Sequence, residues 1–272
     1  MMSPVTLRVT GLFVYPVKSC AGTALQEAKL GARGIEHDRE FMVVGPDHRF
    51  LTQRELPRLA LIRPHLEDGR LRLAAPDYAA IELAPGDTGA RYEVAVWRDT
   101  VCAVDQGDAV AEWFSSFLGT GVRLVRMPRD VVRRVDPAYA PRITDQLGFA
   151  DGYPALLISE ESLEDLNGRL AEPLPMNRFR PNIVLRGSGI PFAEDTWAKI
   201  SIGSVPFDVV KACARCVTTT TDQRTAARGA EPLVTLATYR RVPRGVLFGQ
   251  NLVHAAEGTL RVGDEVTVRE VI

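Results

Sequence analysis

The sequence predicts a mainly β protein of the α+β class, with a barrel-like N-terminal half and a few peripheral helices. Three observations carry this. Residues 62–104 hold five short strand patterns: Ile62–Glu67, Arg70–Ala74, Ala80–Leu83, Tyr92–Trp97 and Thr100–Val104. Turn residues such as Asp-Gly and Pro-Gly-Asp separate them, the pattern of a small antiparallel barrel or sandwich. Helical spacing appears in only three places, Asp105–Leu118, the stretch opened by Ser159, and Leu233–Tyr239. Glycine (22) and proline (18) are scattered along the chain rather than clustered, which fits many turns and no disordered tract.

The elements follow in order. Residues 5–14 alternate and are β-branched, so they read as a strand. Tyr15-Pro16-Val17-Lys18-Ser19 then forms a loop offering a cation and a hydroxyl; it either cradles an oxyanion or is a solvated turn. Ala24–Leu30 is a short strand, and Arg39 precedes the apolar strand ending at Val44. The Arg39 fork either binds a phosphate or carboxylate or pairs with Asp38 or Glu40. Trp97 reads as packing and Cys102 as a buried small hydrophobe. In Asp105–Leu118, Asp108 is the expected cap above an apolar stripe of Val110, Trp113, Phe114 and Phe117. Residues 127–144, basic and proline-bearing, read as a surface loop suited to a domain boundary or a gate. The domains expected on either side are 4–125 and 126–272. Ala155–Ile158 is a strand, and Ser159 caps the helix carrying Leu163, Leu166 and Leu170. Residues 177–182, Asn-Arg-Phe-Arg-Pro-Asn, suit a polar pocket at a strand mouth. Residues 258–268 read as a closing hairpin.

Charge and composition exclude several classes. The formal net charge is −1, so no global field draws in nucleic acid or an anionic membrane. No apolar run reaches the ~20 residues of a membrane helix, and the N-terminus shows no signal or targeting pattern. Four cysteines are too few for a disulfide scaffold, so the expected compartment is a reducing cytoplasm.

The stretch richest in chemistry is Lys211-Ala212-Cys213-Ala214-Arg215-Cys216-Val217-Thr218-Thr219-Thr220-Thr221-Asp222. Two thiols flank an arginine, which fits a metal-holding thiolate or a dithiol redox pair. Structural zinc wants four ligands, yet there is one Cys-x-x-Cys and no histidine at ligand spacing. A thioredoxin-type pair opens a helix, whereas Val217–Thr221 is a run of strand formers. An iron–sulfur cluster needs four clustered cysteines. A single thiolate completing a metal carried by a cofactor stays open, as does a purely structural pair.

Taken together, Tyr15-Pro16-Val17-Lys18-Ser19, His37-Asp38-Arg39, Phe149–Pro154, Phe179-Arg180-Pro181-Asn182-Ile183, Glu194–Trp197, Cys213-Ala214-Arg215-Cys216 and Leu260–Asp264 resemble the MOSC proteins. The closest resemblance is to the branch with an N-terminal MOSC β-barrel domain, which holds the mitochondrial amidoxime-reducing components and bacterial relatives. The resemblance implies two β-barrel domains and a molybdenum cofactor, molybdopterin with an oxo-molybdenum centre. Cys216 is then the catalytic metal ligand and Cys213 a bystander. Lys18, Ser19, Arg39, Gly152, Tyr153, Arg180, Asn182, Ala214, Arg215 and Cys216 are the implied cofactor contacts. Ala214 replaces a hydroxyl residue of the family, and Gly152 and Tyr153 replace small hydroxyl residues. The implied activity is reduction of small N-hydroxylated compounds, with electrons from a separate ferredoxin, flavodoxin or cytochrome-type protein. Asp222 and the Arg180–Asn182 region are the candidate proton donors. A cofactor or sulfur carrier without turnover is the alternative, and an association with the pyridoxal-phosphate superfamily is a further expectation of the resemblance.

Overall fold

The computed structural model describes residues 6–272; residues 1–5, including the first residue of the expected opening strand, lie outside the described residues. The chain is mostly β and has three α-helices among the described residues, as the sequence predicts. Its largest unit is a nine-stranded sheet. The strand order is Val266–Val271, Trp197–Ile202, Val205–Arg215, Gly245–His254, Ala155–Ser159, Ile183–Arg186, Arg8–Val14 and Thr23–Leu25, with Arg241–Val242 beside Gly245–His254.

The first strand therefore belongs to the sheet of the last third of the chain. Arg8–Val14 pairs antiparallel with Ile183–Arg186, and its alternation buries Val9, Leu12 and Val14. This pairing brings the Lys18 loop beside Phe179–Asn182. Ala155–Ser159 and Ile183–Arg186 run parallel, which requires a crossover, and the helix Glu160–Asn167 lies on it. Ser159 caps that helix as expected, accepting the Ser162 N–H at 3.2 Å. Buried Glu194 fixes the cap by accepting the Ser159 and Ser162 hydroxyls at 2.9 and 2.7 Å.

The N-terminal half faces a four-stranded sheet (Phe41–Val44, Arg123–Arg126, Asp99–Asp105, Arg91–Val96) and a three-stranded sheet (Arg63–Glu67, Arg70–Ala75, Tyr78–Leu83) against the helix Asp108–Leu118. Phe41–Val44 is buried on both sides. Phe41 and Val43 join the core with Leu71, Leu73, Phe114 and Phe117, while Met42 and Val44 join Val94, Val96 and Phe149. This strand lies directly after Arg39.

Four local expectations are corrected. Residues 258–268 are not a hairpin: Gly258–Arg261 pairs with Glu27–Gly31 and Val266–Val271 with Trp197–Ile202. The expected strand Ala24–Leu30 breaks at Gln26 so that its halves join different sheets. Asp108 is not a cap. Gly107 occupies that position with φ 96°, and Asp108 pairs with Arg123 at 2.8 Å. Residues 127–144 are tied down rather than solvated. Buried Arg133 donates to Asp99 and to the Gly148 and Ala150 carbonyls, and Arg142 reaches Asp145, Asp208 and the His254 carbonyl.

Two carboxylates, buried Asp105 and half-buried Glu40, couple this half to pH. For Asp105, burial raises the proton affinity, but hydrogen bonds from Arg123 and from the Gly107 N–H outweigh it, so the carboxyl sits below its usual range. For Glu40, burial is outweighed by His37 and Arg126. A carboxyl depressed by folding adds stability above its unfolded value, about 4, and loses it as pH falls through the folded value. The urea midpoint is expected to drop steadily below about pH 4 and to do so less steeply in Asp105→Asn. A midpoint unchanged between pH 6 and 3 contradicts this.

Candidate functional site

The site forms where three chain turns meet the end of Val205–Arg215. An inner cavity of about 160 Å3 is lined by all ten residues implied by the sequence: Lys18, Ser19, Arg39, Gly152, Tyr153, Arg180, Asn182, Ala214, Arg215 and Cys216. It adjoins an outer cavity of about 1660 Å3, and the two share Arg54, Asp151, Gly152, Tyr153, Cys213, Ala214 and Asn251 as common wall.

The backbone is unusual where it reaches the inner cavity. Ser19, Arg39 and Arg180 have φ of 70°, 47° and 55°. Left-handed backbone in side-chain-bearing residues is uncommon and persists where surroundings over-determine it, a pattern concentrated at functional sites. Tyr15 is the hub of that over-determination. Its ring carries the Arg39 guanidinium at 4.2 Å and that of Arg180 at 4.3 Å. Its hydroxyl donates to the Pro181 carbonyl at 3.0 Å, and its N–H donates to Asp38 at 2.9 Å. Burial pushes the Tyr15 phenol up to about 12, so it remains a donor.

Each cation is held for a reason visible in the contacts. Arg39 pairs with buried Asp38, one of the two outcomes expected of it, and still lines the cavity; it also donates to Asn182 Oδ1 at 3.0 Å. Arg180 has no carboxylate partner among the described residues and donates to the Cys20 carbonyl at 2.5 Å. Burial lowers its guanidinium to about 10. Lys18 is buried, donates to the Phe149 carbonyl at 2.7 Å and pairs with Asp151. Burial lowers the Lys18 ammonium, and Asp151 opposes that shift. Burial also raises the Asp151 carboxyl, but Lys18 and the Trp97 indole N–H, which donates at 3.0 Å, pull it well below the usual range. Asp151 opens onto the outer cavity, so water there screens part of this pull. The inner cavity thus gathers Lys18, Arg39, Arg180 and Arg215 against the carboxylates of Asp38 and Asp151, an excess of positive charge.

The strand Val205–Arg215 carries Cys213, and Cys216 follows it directly. Val217–Thr220 is a 3₁₀ turn rather than a strand, correcting the expectation for the threonine run. Thr219 and Thr220 donate their hydroxyls to the Cys216 and Val217 carbonyls at 2.9 and 2.8 Å, so local side-chain bonding overrides β propensity. Burial raises the Cys216 thiol, but Thr218 and Arg54 outweigh it and hold the thiol below its usual value. Cys213 is more than a bystander, because its sulfur accepts Arg215 Nη1 at 3.0 Å while Arg215 Nη2 donates to the Phe179 carbonyl at 2.6 Å. All four cysteines are free.

Some expectations fail here. Asp222 lines neither cavity; it pairs with Arg178 at 3.1 Å and accepts the Arg224 and Thr225 N–H groups. Trp97, expected in core or rim packing, takes the rim: it is 42% exposed, lies against Phe50 and walls the outer cavity. Cys102 is half-buried and lines the same cavity. Sequence reasoning missed Arg54, Asp151 and Asn251. Asp151 had a signal, as the one acid among apolar and glycine residues in Phe149–Pro154; Arg54 and Asn251 had none.

A phosphorylated, hydrogen-bond-rich pterin with a thiolate-ligated metal fits this donor set: a half-buried guanidinium with no carboxylate partner among the described residues, further cations, and a thiol held below its usual value. Comparison with known proteins agrees. Residues 6–121 match the MOSC N-terminal beta barrel domain and residues 144–267 the MOSC domain, which is a molybdenum-cofactor-binding domain. Mitochondrial amidoxime-reducing component 1 of Mus musculus is 36% identical over 95% of this chain and 81% of its own length. The Homo sapiens protein of that name is 37% identical over 95% and 82%. Molybdenum cofactor sulfurase of Oryza sativa subsp. japonica is 34% identical over 89% of this chain, which spans 32% of that protein. The expected pyridoxal-phosphate association has no counterpart in these family matches or names and is set aside. With both of its halves matched in order and relatives above 30% identity along nearly its full length, the chain belongs to the MOSC family, in the branch that carries an N-terminal MOSC beta barrel domain.

Proposed function

We propose that the protein is a molybdenum-cofactor-dependent reductase of N-hydroxylated compounds that receives electrons from a separate ferredoxin, flavodoxin or cytochrome-type protein. One observation carries this reading: the inner cavity sets Cys216 beside Arg180, which has no carboxylate partner among the described residues, within an excess of positive charge, and it adjoins a second cavity large enough for an organic substrate.

In this reading Cys216 ligates the metal. Lys18, Ser19, Arg39 and Arg180, which line the inner cavity, would hold the anionic groups of the pterin through charge-assisted hydrogen bonds. Arg215, steadied by Cys213 and Phe179, faces it from the strand end. Ala214, Gly152 and Tyr153 contribute wall, and Ala214 and Gly152 have only backbone groups to offer. When bound, the cofactor supplies two-electron chemistry. The overall change is R–NHOH + 2e⁻ + 2H⁺ → R–NH₂ + H₂O: the N–O bond breaks, the donor protein supplies both electrons, and the open outer cavity admits water that supplies the protons.

A carrier reading is favoured by one finding, the alignment of 89% of the chain with part of a molybdenum cofactor sulfurase. Expression in a cofactor-competent host, followed by metal analysis and pterin fluorescence, tests both readings. The reductase reading expects bound molybdenum and consumption of phenylhydroxylamine when a low-potential chemical reductant is added. Bound cofactor without turnover supports the carrier. A folded protein without molybdenum or pterin overturns both.

A further inference from the structure

The cations lining the outer cavity are Arg49, Arg54, Arg98, Arg133, Arg134 and Lys211, and two of them lie on aromatic faces. Arg98 and Arg133 are paired with Asp136 and Asp99. Arg54 and Lys211 have no carboxylate partner among the described residues and lie instead on aromatic faces, Arg54 on Trp97 at 4.5 Å and Lys211 on Tyr139 at 3.8 Å. A cation held by an aromatic face keeps its full charge, since the ring contributes only a quadrupole; Arg54 also reaches Cys216, where it lowers the thiol.

Both groups are placed rather than drifting. The backbone of Arg54 is gripped by Arg228, which donates to the Gln53 and Arg54 carbonyls from across the chain. Trp97 is locked from the other side by its bond to Asp151 and by Phe50, whose ring lies 5.0 Å away. Trp97 itself adopts left-handed backbone, φ 57°, at the cavity wall. Asp151, the carboxylate nearest this junction, is engaged by Lys18 and Trp97. Asp47, Glu55 and Glu93 also line the cavity; Glu55 is committed to the Thr52 N–H and hydroxyl, and Asp47 to the Arg49 N–H.

Arg54 lines both cavities, so it stands where a substrate would meet the cofactor end, and Lys211 lies in the outer wall. Resting on the reductase reading above, we propose that the outer cavity is the substrate site and that Arg54 and Lys211 select N-hydroxylated compounds bearing a carboxylate or phosphate beside a planar ring. The anion meets Arg54 and Lys211, the ring lies beside the exposed Trp97 side chain, and the N–O group points to the inner cavity.

Two matched compounds test this on the loaded protein: phenylhydroxylamine, and the same ring with a 4-carboxylate. The wild type is expected to prefer the carboxylate in kcat/KM, and rising salt erodes that preference. Lys211→Gln and Arg54→Gln each lower the preference about tenfold, the loss of one charge-assisted contact, while Arg54→Lys restores part of it. A second readout needs no turnover: calorimetric titration with the products, 4-aminobenzoate and aniline. The anion is expected to bind the tighter, and Lys211→Gln to shrink the difference about tenfold. Equal use of both substrates, or equal binding of both products, overturns the proposal. If neither substrate is reduced but 4-aminobenzoate still binds in preference, the anion subsite stands and the reductase reading falls.

Discussion

Cys216→Ser is expected to yield a folded protein with no bound molybdenum and reductase activity at background. The reason is the difference between a thiolate and a hydroxyl. Thr218 and Arg54 favour the anion at Cys216 against the raising effect of burial, and a thiolate is the form that binds metal. A serine hydroxyl stays protonated under the same influences. The side chain is only partly buried, so the exchange changes stability by less than about 1 kcal/mol. Loss of metal therefore reports ligation and not unfolding, and circular dichroism with a urea midpoint separates the two. Cys213→Ser is expected to keep the metal, because a hydroxyl still accepts Arg215 Nη1, and to lower turnover only modestly. The reverse pattern, with metal lost in Cys213→Ser and kept in Cys216→Ser, refutes the ligand assignment.

That contrast marks where the sequence could be read. Side-chain chemistry was legible: each cation, amide and thiol implied by the motifs lies on the one inner cavity, because such groups are tolerable near a core only when they converge on a shared purpose. Local periodicity was legible too, as in Ser159 capping its helix and the short strands between 62 and 104. Long-range pairing was not. Nothing within Gly258–Val268 tells that its two strands leave each other for Glu27–Gly31 and Trp197–Ile202, since register depends on partners about 230 and about 70 residues away. The threonine run misled for a different reason. Its β-branched side chains favour a strand, but their hydroxyls bond back to carbonyls three residues earlier, and the tighter turn wins. Arg54 escaped notice because its role is set by Trp97 and Arg228, which sequence leaves far apart.

Asn182→Ala is expected to have the largest effect on stability. The residue is 1% exposed, and its amide joins three segments. Oδ1 accepts Arg39 Nη1 at 3.0 Å and the Leu156 N–H at 3.2 Å, while Nδ2 donates to the Phe13 carbonyl at 3.1 Å. Alanine leaves a buried N–H, a buried carbonyl and one arm of a guanidinium without these partners. At about 1–3 kcal/mol for each stranded group, and with incomplete additivity, the loss is about 3–5 kcal/mol, a large fraction of the ~5–15 kcal/mol that holds a domain. Arg39 would also lose the contact that, with Asp38, aims it into the cavity, so molybdenum content should fall with stability. Asn182→Asp separates scaffold from contact. It keeps the acceptor for Arg39 and Leu156 and loses only the donor to Phe13, so denaturation should move by roughly half as much. The added negative charge beside an anionic cofactor should still deplete molybdenum. If Asn182→Ala instead denatures like the wild type while losing its metal, the amide serves the cofactor directly, and the joining of strands Arg8–Val14 and Ala155–Ser159 must rest on their neighbour Ile183–Arg186 alone.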